Sequence, residues 1–194
     1  MPHLFDLTGQ RALVVGIAND QSIAWGCARA LHAQGARLAV TYLNARAEPH
    51  VRPLAEQLGA EIILPLDVGD PGQMDALFAT IEESWGGLDT LLHSIAFCPR
   101  DDLHGRVVDC SAEGFGLAMG RLGPFLPADD PPGRTADGRW RHRDVGVVLR
   151  LAACGRALQH HGPGEGALES AVRYAAAGAG AQGGVSVHAL SPGP

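Results

Sequence analysis

A glycine set between an apolar run and a helix start is the first place in this chain where chemistry can be built. Ala12 to Val15 form the run, Gly16 ends it, and Ser22 opens a segment with Ile23, Cys27 and Leu31 four apart on one predicted face. A strand, a glycine turn and a helix N-terminus make an anion site, because free N–H groups and the positive end of the helix dipole face the turn. That is the architecture of a dinucleotide pyrophosphate site, and a side chain at Gly16 is expected to intrude on the pyrophosphate. The spacing G-x-G-x-x-G is absent here, and a βα turn that binds nothing is the alternative. Other chemistries have little to work with. There is no G-x-S-x-G elbow and no Walker loop, and Cys27, Cys98, Cys110 and Cys154 lack zinc spacing. His160-His161 is the one pair that suggests a metal, but it falls in a stretch that reads as aberrant, so no metal site is expected. The chain contains no lysine: all 15 basic residues are arginine, and the only tyrosines are Tyr42 and Tyr174. Lysine-dependent chemistry is thereby excluded.

The elements that must position this turn read clearly through the first half of the chain. Gly35 closes the first helix and Arg37 to Tyr42 supplies a second strand. Ala47 to Leu58 is helical by pattern, with Val51, Leu54 and Leu58 on one stripe and Pro53 expected to kink it. Glu61 to Pro65 follows as a strand, and Met74, Leu77, Phe78, Ile81 and Trp85 mark an amphipathic helix. Leu88 to Ile95 is nearly all apolar, as at the centre of a parallel sheet, and His93 within it reads as a core histidine. The alternation predicts an α/β, Rossmann-like, doubly wound parallel sheet with helices on both faces, its ligand at the strands' C-terminal ends. With 194 residues the expectation is a single domain. A net charge of -6 argues against nucleic-acid and anionic-membrane partners. No apolar run nears membrane-spanning length and Met1 to Gln10 has no leader pattern, so a soluble, cytoplasmic protein with reduced thiols is expected.

Several short motifs occur in one order: Gly16-Ile17-Ala18, Ser22-Ile23-Ala24-Trp25-Gly26, Thr41-Tyr42, Leu66-Asp67-Val68, Trp85-Gly86-Gly87-Leu88-Asp89 and His93-Ser94-Ile95-Ala96-Phe97. Ala167-Leu168-Glu169-Ser170 and Ser191-Pro192-Gly193-Pro194 continue the series. In residues 1–119 and 166–194 the chain resembles the bacterial NADH-dependent enoyl-acyl-carrier-protein reductases, a branch of the short-chain dehydrogenase/reductases. The resemblance implies oxidoreductase chemistry in fatty acid synthesis, with NADH reducing a trans-2-enoyl thioester borne by acyl carrier protein. It implies cofactor contacts from Gly16, Ser22, Ile23, Asp67, Val68 and Ile95, with Asp67 accepting from the adenine amine, and a substrate contact from Cys98. The family often has glutamine at the place of Leu43. Arg46, just beyond, reads as a solvated surface arginine, with a 2′-phosphate contact as the alternative. The family forms a homotetramer through late helices that this chain carries only in part. The family's nicotinamide-amide contact, substrate loop and last strand would follow Pro194, so the sheet is expected to be incomplete on its C-terminal side. A different short-chain reductase, or a non-catalytic nucleotide-binding relic, stays open as an alternative.

Between Gly120 and Glu165 the pattern fails. The stretch is rich in Gly, Pro, Arg and Asp, and no period of 3.6 or 2 survives across most of it. Its length nevertheless equals the family's, so it reads as translated out of frame, not as an insertion. Shifted by one base, codons chosen for this stretch spell a tyrosine and a lysine seven positions apart, the family's catalytic spacing. They would straddle the codons of Leu158-Gln159 and Glu165-Gly166. As written, the chain is expected to have no catalytic tyrosine or lysine, and residues 120–165 are expected to contribute no packed helix or strand.

Overall fold

The computed structural model describes residues 5–95, 97, 99–102, 109–122, 146–150, 170, 172–173, 176–177 and 186–190. Six strands make one parallel sheet: β1 (Arg11–Val15), β2 (Arg37–Tyr42), β3 (Ile62–Pro65), β4 (Thr90–His93), β5 (Gly146–Arg150) and β6 (Ser186–Leu190). Their order is β3-β2-β1-β4-β5-β6. The chain builds outward from β1 to β3, then returns past β1 to begin β4 on its other side. The gap between the C-terminal ends of β1 and β4 is therefore the switch point where doubly wound sheets hold ligands.

The central strands β1, β2 and β4 are nearly continuous apolar runs because both of their faces are covered. Ala12, Val14, Leu38, Val40 and Leu92 pack on α1 (Ile23–Ala33) and α2 (Glu48–Gln57). Leu13, Val15, Ala39, Ile62 and Leu91 face the opposite way, onto Met74, Leu77, Ile81 and Trp85 of α3 (Pro71–Trp85). A two-residue period within each strand thus feeds two separate cores. Both α1 and α2 end in a Schellman turn. At the first, Gly35 N–H donates to His32 O and Ala36 N–H to Leu31 O; at the second, Gly59 and Ala60 bond Glu56 and Ala55 in the same way.

The N-terminal ends of the strands, opposite the switch point, are held by charge. Arg11 grips Asp89 at 2.6 and 2.7 Å and also donates to Trp85 O, while Trp85 Nε1 and Arg37 both donate to Glu61. The starts of β1, β2, β3 and β4 are tied together here, well away from the switch point.

Several expectations are corrected. The buried face of α1 is Ala24, Trp25 and Ala28, with Ile23, Cys27 and Leu31 only half-buried. Ala24 and Ala28 let the helix lie close on the sheet beside the buried Trp25, and Ile23, Cys27 and Leu31 fill its flanks. The fourth strand is shorter than its apolar run. The largest correction concerns residues 120–165. A fourth helix, α4 (Ala112–Leu122), runs into this interval, and Gly146–Arg150 is β5, paired in register with β4 and β6. Gly-Val-Val-Leu-Arg is short, but two of its residues are β-branched, and a slot between two parallel strands supplies hydrogen bonds on both sides. Of the expected helix Ala167 to Ala177, Val172 is buried in the core; Leu168 and Ala175 lie outside the described residues. Among the described residues no helix is long and apolar enough to cross a membrane.

Candidate functional site

Gly16 follows β1 with φ of 106°, a conformation that L side chains rarely adopt. A Cβ built on it would lie 2.2 Å from the Ser94 carbonyl oxygen and 3.2 Å from the Ile95 nitrogen. The Ser94 N–H donates to Val15 O at 2.9 Å, so the two strand ends converge at this glycine. The space a Cβ would fill is taken by the backbone of Ser94 and Ile95, just past β4. Glycine here thus has a structural duty of its own, letting the ends of β1 and β4 close together.

Beyond Gly16 the chain dips into the core at Ile17, then runs exposed from Ala18 to Gln21. Asn19 shapes this turn, its Oδ1 accepting from the Gln21 N–H at 2.9 Å. Ser22 is the N-cap of α1 by backbone, yet its hydroxyl donates back to Asn19 O at 2.6 Å and caps nothing. No acidic residue lies in the first turn. The N-terminus of α1 is left electropositive, with its leading N–H groups uncapped by any side chain.

The third part of the site follows β3. Asp70 caps α3, accepting from the Gly72 and Gln73 N–H groups, while Gln73 returns Nε2 to Asp70 at 2.9 Å. The same glutamine's Oε1 accepts from the Asp67 N–H at 2.8 Å, which fixes Asp67 at the strand's end. Val68 is buried in the core, so only its backbone faces the site. The Asp67 carboxylate accepts from the Gly69 N–H and forms an ion pair with Arg121, near the end of α4. Arg121 also lies over the Phe97 ring, 5.4 Å from its centroid.

Ile95 is half-buried beside the core and adjoins Gly16, whereas Cys98 lies outside the described residues, as do His160 and His161. Leu43 and Arg46 are exposed; the Arg46 N–H donates to Asn44 Oδ1. His93 is wholly buried in β4, and burial pushes its pKa down to about 4, against the opposing effect of a hydrogen bond with the Arg121 backbone. Arg121 is the residue that sequence reasoning missed. It stands just where the readable pattern ends, and no spacing links it to Asp67.

These parts have features of the phosphate end of a dinucleotide site: a glycine at the strand's end and a helix N-terminus uncapped by any side chain, although the exposed Asp20 carboxylate lies in the turn between them. The Asp67 carboxylate is held by an arginine.

Residues 16–121 match the family described as Enoyl-(Acyl carrier protein) reductase. The chain is 36% identical to "Enoyl-[acyl-carrier-protein] reductase [NADH] 1" of Rhizobium meliloti (strain 1021), over 97% of this chain and 69% of the relative. It is 38% identical to the NADH-named enoyl-acyl-carrier-protein reductase of a Synechocystis species, over 98% of this chain and 75% of that one. Among solved structures, the Anaplasma phagocytophilum enoyl-acyl-carrier-protein reductase in complex with NAD superposes with a TM-score of 0.82 at 31% identity. That superposition covers 99% of this chain and 73% of the other. A family match over more than half of the residues, and identity of this level across nearly all of them, support one assignment: the chain belongs to the enoyl-acyl-carrier-protein reductases.

Proposed function

We propose that this chain is the dinucleotide-binding part of an NADH-dependent enoyl-acyl-carrier-protein reductase acting on carrier-borne enoyl thioesters in the cytoplasm, and that its present sequence binds NADH without turning it over. The observation that carries the first half is the uncapped N-terminus of α1, which lies at the switch point just beyond the close approach of Gly16 to Ser94. Gly16, Ser22 and Ile23 would hold the pyrophosphate through backbone N–H groups. Asp67 and Val68 would meet the adenine, Ile95 would pack on the cofactor, and Cys98 would touch substrate. When bound, NADH supplies the hydride; the protein's part is to orient it and to stabilise the enolate oxygen formed.

Among the described residues, none is placed for that second task. The chain has no lysine, and Tyr42 is buried at the end of β2 with Arg52 over its ring. In our reading residues 120–165 are a shifted frame of the family's text, and the missing tyrosine and lysine lie in that text. Removing one oxyanion donor costs about 10²–10³ in rate, and loss of the ribose-holding lysine adds to it.

Titration with NADH, and NADH oxidation with a crotonyl thioester, test both halves. The protein as written is compared with a version reframed over 120–165 and extended to the relatives' length. Both should bind NADH saturably, and only the repaired version should oxidise it. Absence of binding by either overturns the cofactor reading; turnover by the chain as written overturns the loss of catalysis.

A further inference from the structure

We propose that Arg121 sets which base the chain accepts at the far end of the dinucleotide, by turning a hydrogen-bond-accepting edge into a donating one. This rests on the reading that the site holds NADH. The Asp67 carboxylate is the acceptor fixed at the end of β3, its N–H tied to Gln73 and its side chain about one-third exposed (35%). One carboxylate oxygen accepts from both Gly69 N–H and Arg121 Nη1. The other faces Arg121 Nη2 at 3.5 Å. The guanidinium is planar and carries five N–H donors and no acceptor. With two of its nitrogens turned to Asp67, the remaining N–H directions still present donors only. Its plane also covers Phe97, which is otherwise an exposed ring at the end of β4.

A 6-amino purine offers a donor to this edge and needs a carboxylate to receive it. Arg121 competes for that carboxylate, so the amine gains little. A 6-oxo purine offers an acceptor and meets the guanidinium directly. The chain should therefore discriminate weakly between NADH and its hypoxanthine counterpart, or prefer the latter. Removing the arginine should return the edge to adenine.

The experiment measures dissociation constants of NADH and of reduced nicotinamide hypoxanthine dinucleotide for the full chain, Arg121→Val and Arg121→Gln, with melting curves to confirm folding. In both variants NADH should bind about tenfold more tightly, with no gain for the 6-oxo form, so the ratio shifts about tenfold toward adenine. Arg121→Gln keeps much of the side chain's length and serves if the valine variant unfolds. An unchanged ratio in a folded variant that still binds both dinucleotides overturns the proposal alone. Failure of all three proteins to bind either dinucleotide overturns it together with the NADH reading.

Discussion

At the scale of single residues, Gly16 carries a requirement that its place at the end of β1 conceals. Any L residue there must adopt φ near 106° and seat its Cβ 2.2 Å from the Ser94 oxygen. Backbone strain of about 1–3 kcal/mol and overpacking of similar size add together. Gly16→Ala should therefore cost about 3 kcal/mol or more, a fall of roughly 6–12 °C in melting temperature measured without any ligand. A melting temperature within a degree or two of the parent's would mean that β1 and β4 do not meet as described. The glycine itself was legible in the sequence as the end of an apolar run. Its reason was not, because Ser94 follows another strand and the contact is a matter of packing. Arg121 is the converse case: neither its existence as a site residue nor its partner follows from any local pattern.

At the scale of elements, the strands and the capping turns were legible because their signals are local: Arg37–Tyr42 reads the same in sequence and structure. The inward face of α1 was misjudged, since alanines carry no weight in a hydrophobic stripe yet allow the closest approach to a sheet. Gly146–Arg150 was missed because a five-residue strand in a Gly- and Arg-rich stretch has too little period to detect, and its neighbours in the sheet decide it. The N-termini of α1 and α3 differ in a way that can be measured. Asp70 caps α3 with its carboxylate, whereas the hydroxyl of Ser22 turns away from α1. Ser22 already has an extended N-cap backbone, with φ −70° and ψ 141°. Ser22→Asp should accordingly cap α1 and raise stability by about 0.5–1 kcal/mol. The same carboxylate should repel a pyrophosphate and weaken NADH binding about tenfold or more. Opposite signs in the two measurements separate a binding site from a structural turn. A variant that melts higher and binds NADH as before would show that no pyrophosphate sits at this helix.

At the scale of the whole molecule, the sheet has its candidate site at the C-terminal ends of the strands, charge clamps at their N-terminal ends and a fully buried imidazole in its centre. His93 is in register with Val15 on one side and with Leu149 on the other, so it belongs to the sheet's centre. Burial depresses its pKa from 6.5 to about 4. The unfolded chain therefore takes up this proton at higher pH than the folded one does. The stabilisation from keeping His93 neutral is complete above 6.5 and is lost as pH falls toward 4. Integrating over that window gives a loss of about 2 kcal/mol by pH 5 and about 3 kcal/mol in full. Glu61 and Asp102 also have depressed carboxyl pKa values, Glu61 chiefly through Arg37 and Asp102 through the Ser111 backbone N–H, but from ordinary values of 4.5 and 3.8. Their effects on stability fall mainly at lower pH, leaving the interval above to His93. Urea unfolding at pH 7.5 and at pH 5 should show the difference directly, and His93→Leu, close in volume and without a titrating group, should abolish most of it. If the leucine variant loses as much stability between the two pH values as the parent, the imidazole is not held neutral in the core, and acid sensitivity must arise elsewhere in the chain.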